Sequence, residues 1–152
     1  IRPGGRVHKG TGIHGSLEAY ASATGMRETA LEMLTQHPET PSLMRTYKSE
    51  DITSQVVYDA AVKGDKIAQE IFEFTGQLLG EALANFIMFS SPEAIVLFGG
   101  VTKAGDMLLN PTRQAMEANL VQVFKNKVKL MFSELKEADA AILGASALIW
   151  ES

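Results

Sequence analysis

The chain has 152 residues, 45% hydrophobic and 21% charged, which is one globular domain's length and enough to bury a core. A net charge of −4, with lysines and arginines scattered, argues against a nucleic-acid surface in this segment. The absence of cysteine excludes disulfides and thiolate metal sites and fits a reducing, cytoplasmic setting, and no apolar run approaches the roughly 18 residues of a membrane span.

The opening, Ile1-Arg2-Pro3-Gly4-Gly5-Arg6, has neither an initiator Met nor the apolar stretch of a signal peptide. It reads as the middle of a longer protein, so a fragment or an excised domain is expected. Glycines at 4, 5, 10, 12 and 15 make residues 1–15 a loop or tight hairpin. Ser16 is placed to cap a helix from Leu17, with Leu17, Tyr20 and Ala21 inward and a break at Thr24 or Gly25. A second helix is expected over Met26–Gln36, with Ala30, Leu31 and Leu34 on one side. His37-Pro38 ends it, because the residue before proline disfavours the α region. Residues 38–50 are polar and read as a surface connection.

Thr53 is expected to cap a helix running to Lys63, with Val56, Val57, Ala60 and Ala61 inward. Gly64-Asp65 supplies a turn and the next cap. The helix from Lys66 to Phe89 carries Ala68, Ile71, Phe72, Thr75, Leu79, Ala82, Leu83, Phe86 and Ile87 at helical spacing, which predicts one strongly apolar face. Gly76 and Gly80 lie four apart in it and would allow a second helix to approach closely. Ser90-Ser91-Pro92 terminates it. Ala94–Phe98 is a continuous apolar run, as expected of a strand covered on both faces. Gly99 and Gly100 follow, where the backbone can approach a ligand before a helix start. A helix over Asp106–Leu120 is expected, interrupted at Pro111 or starting there as an N1 proline. Val128–Phe132 reads as a second strand. Asp139–Trp150 reads as a last helix, rich in small residues and capped by Asp139. Two strands are few for a stable sheet. The missing ones are expected upstream, or residues 1–15 contribute one.

Three segments in this order resemble the ROK family (repressors, open reading frames and sugar kinases). They are Gly5-Arg6 through Gly15-Ser16-Leu17-Glu18-Ala19-Tyr20-Ala21-Ser22, then Ile95–Gly105, then Ala138-Asp139-Ala140-Ala141-Ile142-Leu143-Gly144-Ala145. The junction Ala60-Ala61-Val62-Lys63-Gly64-Asp65 fits as well. The resemblance implies an α/β chain of the actin-like, hexokinase-clan ATPase fold (ribonuclease H-like), here as a helix-rich C-terminal portion, residues 1–152, of a protein about twice as long. It implies phosphorylation of glucose or a related hexose with ATP and magnesium, by a cytoplasmic protein expected to be a homodimer, with no membrane and no nucleic acid bound by this segment. The alternative it leaves open is the effector domain of a sugar-responsive transcriptional repressor.

The same resemblance makes Glu18 the sugar-binding residue of this chain. A carboxylate accepts strong charge-assisted hydrogen bonds from vicinal hydroxyls; the competing reading is an acidic residue decorating a helix N-terminus. Gly99 and Gly100, with Val101 and Thr102 beside them, correspond to the nucleotide side of the cleft. The catalytic base and first phosphate loop of the family lie outside this sequence, so no catalytic residue is assigned. Many members carry three cysteines in the glycine-rich loop and an upstream histidine as a structural zinc site. Here those positions fall at or near Lys9, Thr11 and Ser16, so zinc is not expected, and His8 and His14 read as surface histidines. Phe72, Phe86, Phe89 and Trp150 read as core or as a dimer face.

Overall fold

The computed structural model describes residues 2–135. The last expected helix, Asp139–Trp150, lies outside them. The order is α1 (Glu18–Ala21), α2 (Ala23–Gln36), a 3₁₀ turn (Leu43–Thr46), α3 (Ser54–Val62), α4 (Lys66–Ser90), β1 (Ala94–Leu97), a second 3₁₀ turn (Gly100–Ala104), α5 (Asp106–Asn119) and β2 (Lys129–Phe132).

Residues 2–15 form the expected hairpin. It has one antiparallel bridge, Val7 to His14, so it adds no third strand to the sheet. The Ser16 hydroxyl accepts from Ala19 N–H at 3.3 Å and opens α1. The break falls earlier than expected, at Ser22. Its extended backbone and its side chain, which accepts from Gly25 N–H at 3.0 Å, make it the cap of α2. Thr24 and Gly25 therefore lie inside α2, which starts three residues ahead of Met26. Thr53 and Asp65 cap α3 and α4 as read from the sequence. Asp65 does more: its other carboxylate oxygen accepts from Ser42 Oγ at 2.7 Å and Leu43 N–H at 2.6 Å. That contact folds the 38–50 connection inward. Met44 is fully buried in the core beside Met26, Ile67 and Ile71, so this stretch is not merely a surface strap.

α4 is the spine of the molecule. Its first half packs with α2 and α3 around Met26, Val57 and Ile71, and its second half packs with α5 and the sheet around Leu83, Ile87, Met116 and Leu130. Gly76 and Gly80 face α5 directly. A Cβ on Gly76 would lie 2.7 Å from the Pro111 ring, and one on Gly80 would lie 2.7 Å from the Ala115 methyl. This contact explains why α5 runs through Pro111 rather than breaking there. Interior proline removes one backbone bond and costs about 3 kcal/mol, but the buried ring fills the space the glycines leave.

One expected inward residue comes out differently: Phe86 is 53% exposed, because it lies off the face that Leu83, Ala84 and Ile87 bury, and Phe89, read as core or a dimer face, is 94% exposed. β1 and β2 pair in parallel, Ala94 opposite Lys129 and Leu97 opposite Phe132, with α5 as the crossover. The expectation that β1 is covered on both faces fails: Val96 is 56% exposed and Phe98 50%. Ile95 and Leu97 pack on the core, while the face with Val96 has no packing partner among the described residues.

Candidate functional site

Glu18 is the first residue of α1 and stands 67% exposed on the rim of a cavity of about 430 Å³. The glycine-rich loop supplies one wall, with Arg6, His8 and Lys9. The start of α1 and the first turns of α2 supply the other, with Glu18, Glu28 and Glu32. Three carboxylates therefore face one cavity, and their bonding separates them. Glu32 accepts from Arg6 Nε at 3.0 Å and from Arg6 Nη2 at 2.7 Å. Glu28 accepts from Lys9 Nζ and from Arg27 Nη1, both at 3.0 Å. The Lys9 bond lowers the Glu28 carboxyl below its ordinary range, helped by the nearby Arg27 and Arg6 charges against the opposing effect of burial. Glu18 has only His8 Nε2, at 3.7 Å, as its ionic partner among the described residues. It is the cavity's carboxylate with neither oxygen hydrogen-bonded among the described residues, whereas Glu28 has Oε1 and Glu32 both oxygens engaged.

The histidines are engaged locally. His8 Nδ1 lies 3.0 Å from the Thr11 hydroxyl, and His14 Nδ1–H donates to the Gly5 carbonyl at 3.2 Å. The donors at the three cysteine-equivalent positions do not fit zinc. Lys9 offers an ammonium bonded to Glu28, Thr11 a hydroxyl bonded to His8, and Ser16 a hydroxyl that caps α1.

The glycine doublet follows β1. Gly99 has φ +119°, a region that side chains avoid, and open space lies where a Cβ would project. Gly99 and Thr102 border a hollow of about 450 Å³ with Phe98, Lys103, Phe132 and Ser133. The Thr102 hydroxyl donates to the Gly99 carbonyl at 2.6 Å, so its proton serves the turn and its lone pairs remain. Gly100 and Val101 instead line a small cavity of about 50 Å³ with Met26, Tyr58 and Phe72. The four glycine-segment residues thus divide between two adjacent concavities. Glu18 belongs to neither. The link is the first turn of α2, where Gly25 borders the Glu18 cavity and Met26 borders the Gly100 cavity.

Sequence reasoning missed Arg6, Lys9, Glu28 and Glu32. A signal existed: Glu28 and Glu32 stand four apart on one helical face, and the glycine-rich loop carries three cations, Arg2, Arg6 and Lys9.

Comparison with known proteins agrees with this architecture. The chain is 34% identical over 149 residues to a glucokinase of Halalkalibacterium halodurans, covering 98% of this chain and 45% of that protein. It is 30% identical over 146 residues to the DNA-binding transcriptional dual regulator NagC of Escherichia coli, covering 96% of this chain and 34% of the regulator. Among solved structures, the ROK family glucokinase from Streptomyces griseus, crystallised with glucose and AMPPNP, superposes with a TM-score of 0.82 at 25% identity, over 97% of this chain and 48% of that one. The chain spans about half the length of the kinases it matches, and its fold is the actin-like ATPase fold of the ROK sugar kinases. The ROK family profile matches residues 6–152, and the chain belongs to the ROK family.

Proposed function

We propose that the protein containing this chain is an ATP-dependent hexose kinase of the glucokinase type. The observation that carries the reading is the uncommitted Glu18 carboxylate among three that face one cavity. A sugar offers vicinal hydroxyls, and a carboxylate accepts two of them in charge-assisted bonds. Similarity to glucokinases, one of them crystallised with glucose and AMPPNP, supports the same reading.

Phosphoryl transfer depends chiefly on positioning and on neutralising charge. In this reading Glu18 orients the hexose by its hydroxyls. The turn Gly99-Gly100-Val101-Thr102 lies against the nucleotide, where the open space over Gly99 admits a close backbone approach. Magnesium would enter with the ATP phosphates, which commonly hold it through oxygen and water. The base that accepts the hexose hydroxyl proton belongs to the rest of the protein. The working protein is proposed to be a cytoplasmic homodimer, for which the exposed Phe86 and Phe89 offer apolar surface. No described helix is long and apolar enough to cross a membrane.

The test is calorimetric titration of the full-length protein with glucose and with related hexoses, followed by a coupled assay with ATP. A hexose that binds and is phosphorylated supports the reading. Similarity to NagC motivates the second reading, a sugar-responsive repressor. It predicts sugar binding without phosphorylation, together with release of duplex DNA when sugar is added.

A further inference from the structure

We propose that the Arg6 guanidinium, rather than a metal ion, fastens the glycine-rich loop to the helices behind it and thereby positions Glu18. The part about Glu18 rests on the hexose reading above; the part about the loop does not.

A loop this rich in glycine loses much entropy on ordering, and α1 has only four residues, too few to hold its own shape. Something outside both must fix them. The zinc site that the family resemblance implies finds no ligands at Lys9, Thr11 and Ser16, none of which offers a thiolate and each of which is bonded elsewhere. Among the described residues no group of three or more histidine, cysteine, aspartate or glutamate side chains could hold a metal.

Arg6 supplies the fixing. An arginine has five N–H donors in a rigid fork, and each of the five has an acceptor here. Nε donates to Glu32 Oε1 at 3.0 Å. Nη1 donates to the Ala19 carbonyl at 2.7 Å and the Gly25 carbonyl at 2.9 Å. Nη2 donates to Thr29 Oγ1 at 3.0 Å and Glu32 Oε2 at 2.7 Å. One side chain, only 13% exposed, thus joins the loop to α1 and to three turns of α2. The hairpin closes around it, as Gly15 N–H donates to the Arg6 carbonyl at 2.9 Å and Arg2 N–H to the Gly15 carbonyl at 3.0 Å. The Ala19 carbonyl belongs to the residue after Glu18, so the bond that holds α1 also sets where the Glu18 carboxylate stands. Guanidinium keeps its proton throughout the working pH range. A chelator has no hold on such a clasp, whereas metal-held loops lose theirs when the ion is removed.

The experiment uses the full-length protein, as purified and after dialysis against EDTA, with metal content measured and magnesium restored before assay. Amide hydrogen exchange follows residues 2–21, and KM is measured for hexose and for ATP. EDTA treatment is expected to leave exchange and both KM values within about twofold of their starting values. Arg6→Lys keeps the charge but cannot reach five acceptors. It is expected to speed exchange in the loop about tenfold or more and to raise the hexose KM about tenfold, with the ATP KM within about twofold. Glu32→Gln, a milder change, should act in the same direction and keeps the test usable if Arg6→Lys folds poorly. Release of a stoichiometric metal by EDTA together with faster loop exchange would overturn the clasp, as would unchanged exchange in both variants. Faster exchange with an unchanged hexose KM would overturn the positioning of Glu18. If the full-length protein phosphorylates no hexose, the kinase reading falls, while the exchange and metal measurements still decide the clasp.

Discussion

The Arg6 backbone N–H donates to the Tyr20 hydroxyl at 2.7 Å, while the Arg6 guanidinium carbon lies 4.6 Å from the centre of the Tyr20 ring. The ring itself is buried against Leu78 and meets Phe74 edge-on at 6.2 Å. Loop, α1 and α4 therefore converge on one aromatic side chain. Tyr20→Phe keeps the ring and removes the acceptor, leaving a part-buried N–H unpaired. A loss of about 1–2 kcal/mol in urea unfolding is expected, and Tyr20→Ala should cost about 3–5 kcal/mol through the cavity it opens.

The α4–α5 contact predicts a second pair of outcomes. Gly76→Ala places a methyl against the Pro111 ring, and Gly80→Ala places one against Ala115 and the Thr112 backbone. Each should destabilise by about 1–3 kcal/mol, as overpacking does. Ala115→Gly should recover only part of the Gly80→Ala loss, because the Thr112 carbonyl still obstructs. A double-mutant cycle on thermal unfolding reads the coupling.

Acid should loosen the loop through Glu28. Its carboxyl is lowered below the ordinary value by the Lys9 hydrogen bond first, with Lys9, Arg27 and Arg6 charges adding to it. A lowered folded-state pKa contributes stability that is present above the unfolded carboxylate pKa of about 4.3 and is lost as pH falls through the folded value. Urea midpoints measured from pH 7 downward should therefore drop more steeply below about pH 4 in the native protein than in Glu28→Gln. Parallel curves would contradict this account of the Lys9–Glu28 pair.

The Asp65 contacts make a further prediction about the 38–50 connection. Met44→Ala should cost about 2–5 kcal/mol, the range for a buried methionine. A loss below 0.5 kcal/mol, as for an exposed site, would mean that the connection is not anchored.

Much of this fold is legible in the sequence because it is local. Thr53 and Asp65 precede apolar helical patterns, and both cap as their side-chain chemistry dictates. Gly76 and Gly80 foretell a close helix because their spacing puts them on one face. What is missed is non-local. Arg6 reaches partners 13 to 26 residues away, and no periodicity records such bonds. Met44 is hidden by polar neighbours, and its burial depends on Asp65, more than twenty residues on. Phe86 keeps the helical spacing of its inward neighbours, yet lies off the face that Leu83, Ala84 and Ile87 bury. The assignment of Glu18 came from family resemblance, since spacing alone does not distinguish a sugar ligand from a helix-end acid. The bonding of Glu28 and Glu32, visible only in three dimensions, is what sets Glu18 apart.

Steady-state kinetics of the full-length protein, varying hexose and ATP separately, tests the two sides of the cleft most directly. Glu18→Gln should raise the hexose KM or lower kcat by about tenfold or more while the ATP KM stays within about twofold, and Gly99→Val should do the reverse. A Glu18→Gln enzyme with unchanged hexose KM and kcat would contradict the account.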